Sequence, residues 1–292
     1  MSSFQALMVS TASRVGTGNI VGVSSAICIG GVGSVFWMWI IAILGSASAL
    51  AESTLAQIYK KKGEDGRCYG GPAYYIEAAL HSRELAVVFC IAMILTYAFG
   101  FNMLASYNLQ STFASQPFYN AEITPWIIGG ILSLVMGWCL LGGGNRIVKV
   151  TSTLVPFMGI AYILVSLLVV VLNIGQLPSV MAQIFKEAFD FKAIFAGFAG
   201  SAMMQGIRRG LYSNEAGIGS APNAAASAVV SHPVKQGLVQ MLSVFIDTLL
   251  LCTATAMMCL VSGVIPAKEL QGAPWVQAAL HKTLGSFGPY LS

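Results

Sequence analysis

Charge is what this sequence has least of. Only 9% of its 292 residues are Asp, Glu, Lys or Arg, where a soluble domain carries about a quarter. A chain so poor in charge cannot clothe itself in a hydrated surface, which excludes an ordinary water-soluble globule. Histidine is scarce too, with three copies in loops or near segment ends, and no H-E-x-x-H occurs. Asp247 is the one carboxylate deep inside an apolar run. Intramembrane proteolysis by zinc, by paired aspartates or by a Ser-His dyad therefore has no constellation to work with. No lysine lies deep in an apolar stretch, which removes a retinal Schiff base. The six cysteines lack metal-ligand spacing, and five sit in apolar stretches as reduced packing residues. No basic run precedes the first apolar stretch, so the first span is expected to act as the targeting signal. The net charge of +4 is small and lies in loops, so no nucleic acid partner is expected.

What is abundant is apolar surface, at 56% of residues with a mean hydropathy of +0.76. This is the composition of a polytopic membrane protein, all-α, with roughly seven or eight spans. Apolar segments fall near 3–30, 32–58, 86–110, 124–143, 147–175, 193–213 and 237–265, and a last stretch at 274–292 resembles a loop helix. If residue 1 starts inside, ten Lys and Arg residues fall in inner loops and four in outer ones. That bias makes the N-terminus cytoplasmic and the protein a multi-pass component of the cell membrane, with lipid around it.

Two segments resist a reading as simple helices. "SRVGTGNIVG" at 13–22 and "FAGFAGSAMMQGIRRGLYSNEAGIGSAP" at 195–222 put glycine and polar residues at mid-membrane depth. They occupy corresponding positions in two halves of opposite topology, which points to the binding site of a secondary transporter. A broken helix frees carbonyls at the end of one half and amides at the start of the next. The negative end attracts a cation and the positive end a carboxylate, so an amino-acid zwitterion with Na+ fits such a break. Val15 and Gly16 would end the first half-helix, Thr17 and Gly18 would present amides to a carboxylate, and Asn19 would offer a neutral oxygen to a hard cation. Close helix packing through Gly16, Gly18 and Gly22 is the competing explanation.

The same stretches carry a family likeness. "SSFQALMVSTASRVGTGNIVGVSSAI", "FWMW", "AESTLAQIYK", "GGPAYYI", "RRGLYSNEAGIGSAP" and "FIDTLLLCTATA" resemble the sodium:alanine (alanine or glycine:cation) symporters over nearly all 292 residues. The resemblance implies a LeuT-type fold of two inverted five-helix repeats, with broken first and sixth core helices. Residues 1–176 would form the first repeat, core helices 1–5. Residues 177–292 would form a partial second repeat: an outer loop helix, core helices 6 and 7, and a loop leading to helix 8. Family members run longer at both ends, so the chain resembles a fragment lacking the N-terminal helix and the C-terminal spans. The implied function is Na+-coupled symport of alanine or glycine by alternating access, with Na+ as coupling ion and no other cofactor, and no enzyme activity. The alternatives are a non-transporting fragment or half-subunit needing a complementing chain, and a passive channel. Many relatives carry Gln-x-Asn in the third core helix, where Ala105 and Tyr107 stand in this sequence.

The remaining candidates follow from residue chemistry. Asp247 and its neighbour Thr248 join the cation set, because a carboxylate inside the membrane is costly unless it has work to do. Gly197, Gly200 and Ser201 would present backbone and a hydroxyl to the substrate, with Phe198 and Met204 closing the apolar side of a small pocket. Arg14, Glu52, Asn102, Asn108, Arg208, Arg209 and Glu215 are gate or structural polar residues. Arg208 and Arg209 are expected at the inner mouth with Glu215, as a salt-bridge gate or a solvated cap.

Overall fold

Helix starts in this chain follow local chemistry closely. The computed structural model describes residues 1–64, 66, 68–114, 118–190, 201–286 and 288. Helix α1 (Ser3–Arg14) opens on a capping box in which Ser2 accepts from the Gln5 amide and Gln5 reaches back to the Ser2 amide. It stops where Val15 turns extended, and the chain re-enters helix through a π-helical turn, Gly18–Gly22, that runs into α2 (Val23–Gly30). Helix α3 (Ser34–Ile58) is followed by a two-residue hairpin, β1 (Lys61–Lys62) against β2 (Cys68–Tyr69), and by α4 (Pro72–Leu80) with proline in its first turn.

Ser82 caps α5 (Arg83–Leu95), which continues through a π-helical stretch, Thr96–Phe101, into α6 (Asn102–Ser111). Helices α7 (Thr124–Leu141), α8 (Gly143–Leu172) and α9 (Leu177–Ala188) come next. After 191–200, α10 (Ala202–Asn214) is capped by the Ser201 hydroxyl and leads to the short α11 (Ser220–Ala226). Helix α12 (Pro233–Val244) passes through a third π-helical stretch, Phe245–Cys252, into α13 (Thr253–Val261), and α14 (Ala273–Leu284) follows.

Helix α3 is the spine, with α9, α10, α11 and α12 packed along it, while α1 and α13 lean on α8. Between them lies an apolar cluster that includes Ile27, Val35, Met38, Ile184, Met258, Trp275 and Leu280. By contrast α7 buries no residue, and its Trp126 and Leu141 are 83% and 91% exposed, as suits a helix bathed in hydrocarbon. Among the described residues five helical stretches are long and apolar enough to cross a bilayer: Ser34–Ile58, Arg83–Ser111, Thr124–Leu141, Gly143–Leu172 and Pro233–Val261. The count falls below seven or eight because the opening segment is split into two short halves, and only the second half of 193–213 lies within the described residues. Within the stretch expected as a loop helix, Trp275, Val276, Ala279 and Leu280 of α14 are fully buried in the central cluster.

Gly206 and Gly210, one turn apart, let α10 lie directly on α3: a side chain at Gly206 would meet the Ser34 carbonyl, and one at Gly210 would meet Ile41. Replacing Gly210 with leucine is expected to lower the stability of the purified protein by about 1–3 kcal/mol through overpacking. A thermal unfolding midpoint equal to that of the unaltered protein would refute this contact.

Candidate functional site

Two of the three stretches of π-helix among the described residues meet at one place. The wide turn of a π-helix re-aims side chains and loosens the regular backbone ladder, and such turns collect at functional sites. Asn19 is the buried residue of the first, Gly18–Gly22. Asp247, Thr248, Leu251 and Cys252 are buried in the third, Phe245–Cys252, and the first and third stretches touch.

The contact centres on Asp247, which is fully buried. Asn19 donates through Nδ2 to Asp247 Oδ1 at 2.7 Å, and Thr248 donates to Oδ2 at 2.9 Å. Ser213 of α10 stands 2.5 Å from Asp247 Oδ2 and 3.0 Å from Asn19 Oδ1, and 3.2 Å from the Cys252 sulfur. A carboxylate removed from water needs such donors, because unmet desolvation costs several kcal/mol, to an order of magnitude. Side-chain oxygens of Asn19, Ser213, Asp247 and Thr248 thus crowd together, and hard monovalent or divalent cations take donor sets of this kind.

The break lies directly beside this cluster. A single 3.0 Å bond from the Asn19 amide to the Gly16 carbonyl bridges it. Thr17 accepts at Oγ1 from Asn108 Nδ2 at 3.3 Å. A Cβ at Gly16 would meet nothing within 4 Å, so helix packing does not explain that glycine. Gly18 and Gly22 differ: a Cβ at Gly22 would stand 2.6 Å from Arg209 Nη1, and one at Gly18 3.3 Å from both Nη1 and Nη2. Those two glycines make room for the Arg209 side chain.

Arg209 is therefore no solvated loop charge. It is buried, donates from Nη2 to Asn19 Oδ1 at 3.3 Å, and lies 5.3 Å from the centre of the Tyr212 ring. The adjacent Arg208 is exposed. One residue step on a helix is about 100°, enough to send neighbouring guanidinium groups to opposite surroundings. Glu215 is likewise no solvated cap: it is buried in the left-handed region, and its Oε2 accepts from Ser13 (2.9 Å), Tyr97 (3.1 Å) and Ser220 (2.6 Å). These hydroxyls tie the end of α10 to α1, to the second π-helical stretch and to α11. Ser13, Tyr97 and Ser220 also line an open groove of about 420 Å³ with Met93, Ile94, Ala98 and Asn223. Tyr97 stacks on Phe101 at 4.8 Å, and Phe101 on Tyr212 at 5.4 Å.

The other expected site residues scatter. Arg14 is buried, bonds the Gln240 carbonyl at 3.4 Å and feels the Asp247 carboxylate without a direct hydrogen bond to it. Glu52 lies beside the backbone amides of Gly217 and Gly219, which follow α10. Asn108 is buried at the break, whereas Asn102 is exposed and bonds the Ala98 carbonyl of its own helix. Ala105 and Tyr107 are exposed as well. Ser201 accepts from the Met204 amide at 3.3 Å as a helix cap, and Met204 is half-buried. Gly197, Phe198 and Gly200 lie outside the described residues.

Sequence reasoning passed over Ser213, Tyr97 and Tyr212. The available signal for Ser213 was its place one turn after Arg209, on the same face of α10. With Glu215 replaced by alanine, the three hydroxyls lose their shared acceptor and the groove between α1 and α11 opens. A cysteine introduced at Ser13 is then expected to react several-fold faster with a water-soluble maleimide than in the Glu215 background. Equal labelling rates in the two backgrounds would show that Glu215 does not hold that junction.

The family model of the sodium:alanine symporter family matches residues 1–292. The putative sodium/proton-dependent alanine carrier protein YrbD of Bacillus subtilis is 47% identical over 99% of this chain and 61% of its own length. The probable sodium/glutamine symporter GlnT of the same organism is 48% identical over 98% of the chain and 59% of its own length. The sodium/alanine symporter AgcS of Methanococcus maripaludis is 40% identical over 90% of the chain and 58% of its own length. The chain spans about three-fifths of the length of these curated relatives. With five helices able to cross a bilayer and a family match along its whole length, the chain is that of a multi-pass membrane protein and belongs to the sodium:alanine symporter family.

Proposed function

We propose that this protein takes part in Na+-coupled symport of a small neutral amino acid, alanine or glycine, across the cell membrane, with its N-terminus in the cytoplasm. The observation that carries the reading is the cluster of Asn19, Ser213, Asp247 and Thr248 oxygens set against a helix break at Val15–Thr17. Na+ would be held by Asn19, Asp247 and Thr248, with the carbonyls of Val15 and Gly16 and with Ser213 added to the set. The substrate carboxylate would face the amides of Thr17 and Gly18. Gly197, Gly200 and Ser201 would line the opposite wall, with Phe198 and Met204 against the substrate methyl group.

On this reading the fold is LeuT-type. Residues 1–176 make one repeat, 177–292 make part of an inverted second, and transport proceeds by alternating access around the two breaks. The Glu215 junction with Ser13, Tyr97 and Ser220 would be the inner closure. Family membership and relatives named as carriers and symporters support transport in place of enzymatic turnover. Because those names include both alanine and glutamine, side-chain size is part of the test.

Uptake of radiolabelled alanine is to be measured in cells lacking their own alanine transport, with the protein expressed from its native gene. It is expected to need a Na+ gradient, to be competed by glycine more strongly than by glutamine, and to be abolished by Asn19→Ala and by Gly18→Leu. Uptake that ignores the Na+ gradient would refute coupling. Full activity in either variant, at equal membrane abundance, would refute the site.

A further inference from the structure

The feature that the transport reading leaves unexplained is a buried positive charge beside the proposed Na+ ligands. Arg209 is 5% exposed, and its Nη2 donates to the same Asn19 oxygen that is offered to the cation. Its Nε and Nη1 are buried and have no hydrogen-bond partner. The guanidinium charge also acts on the Asp247 carboxylate. Its seat has a definite shape, floored by Gly18 and Gly22 and walled by the Tyr212 ring.

We infer that Arg209 is a tethered cation that occupies part of the coordination cluster of Asn19 and Asp247, and that it is displaced when the free cation binds. The inference rests on the proposed Na+ site and adds a competitor built into the chain. Charge balance is the first argument. Asp247 is a single carboxylate on which the Arg209 charge already acts, with buried Arg14 also in electrostatic reach, so adding Na+ beside an unmoved Arg209 makes one more cation share that carboxylate in a buried place. Distance is the second. An ion about 2.4 Å from Asn19 Oδ1 would lie within roughly 6 Å of a guanidinium nitrogen that is itself 3.3 Å from that oxygen. Repulsion between two unit charges at that separation, at an effective dielectric constant near 20, weakens binding on the order of a hundredfold. Hydrogen bonding is the third. Asn19 Oδ1 already receives Arg209 and lies within reach of Ser213, and an oxygen so engaged has little lone-pair density left for a metal ion. Exchange of one cation for the other removes all three penalties, and the unpaired Nε–H and Nη1–H give the departing guanidinium donors for a new acceptor.

Equilibrium binding of ²²Na+ to the purified full chain in nanodiscs tests this, with Arg209→Met, Arg209→Gln and Arg209→Lys compared at matched monodispersity. Binding is expected to tighten at least tenfold in the Met and Gln variants, to remain near the unaltered value in the Lys variant, and to disappear when Asn19→Ala is added. In Arg209→Ala, free guanidinium ion is expected to compete with ²²Na+, because it can refill the vacated seat, whereas the unaltered protein should be insensitive to it. Saturable, Asn19-dependent binding that is unchanged or weaker in both neutral variants would overturn the tethered cation and leave the Na+ site standing. Absence of any Asn19-dependent binding in the unaltered protein and in all the variants would overturn both.

Discussion

A carboxylate in the middle of a membrane protein must be satisfied from within, and the arrangement around Asp247 follows from that requirement. Two donors reach it from the first and third π-helical stretches, and a third comes from α10. The two π-helical stretches depart from a regular transmembrane helix, the first beside a break and both by a widened turn. The local cost of irregular backbone is offset by hydrogen bonds that a buried carboxylate makes stronger than neutral ones.

The scaffold that holds this arrangement is uneven in a useful way. Helices α3 and α12 bury much of their length, and glycines at Gly206, Gly210 and Gly237 bring backbone against backbone there. Helix α7 buries nothing, and the stretch Arg83–Ser111 has no buried residue in its most apolar part. The tightly packed side keeps Asp247 fixed relative to α10. The loosely held side carries Tyr97, Phe101 and Asn108, the groups that reach in toward Glu215, Tyr212 and Thr17.

Much of this was legible in the sequence, and the illegible part has a common cause. Long apolar runs gave away the spans, because hydrocarbon leaves little choice of composition. Glycines beside Asn19 gave away the first break, and an isolated aspartate in an apolar run pointed to Asp247. What stayed hidden depends on helix rotation and on partners far apart in the chain: Asn19 and Asp247 are separated by 228 positions. Arg208 and Arg209 look alike in any count of loop charges, yet one is exposed and the other buried at the break. The π-helical stretches have no composition of their own, since "TYAFGF" and "FIDTLLLC" would serve equally well in a regular helix. Ser213 was overlooked because a serine one turn from an arginine is ordinary until the carboxylate opposite it is known.

The stacked rings of Tyr97, Phe101 and Tyr212 have a mechanical consequence. Their planes lie within 11° and 10° of parallel, so the three form a short rod of nearly incompressible contacts. One end touches a carboxylate through the Tyr97 hydroxyl, and the other carries a guanidinium on the face of Tyr212. A push along the rod at the Glu215 end must either slide the rings out of register or shift the cation at the far end. Movement at the Glu215 junction and the position of Arg209 are in that sense two ends of one lever.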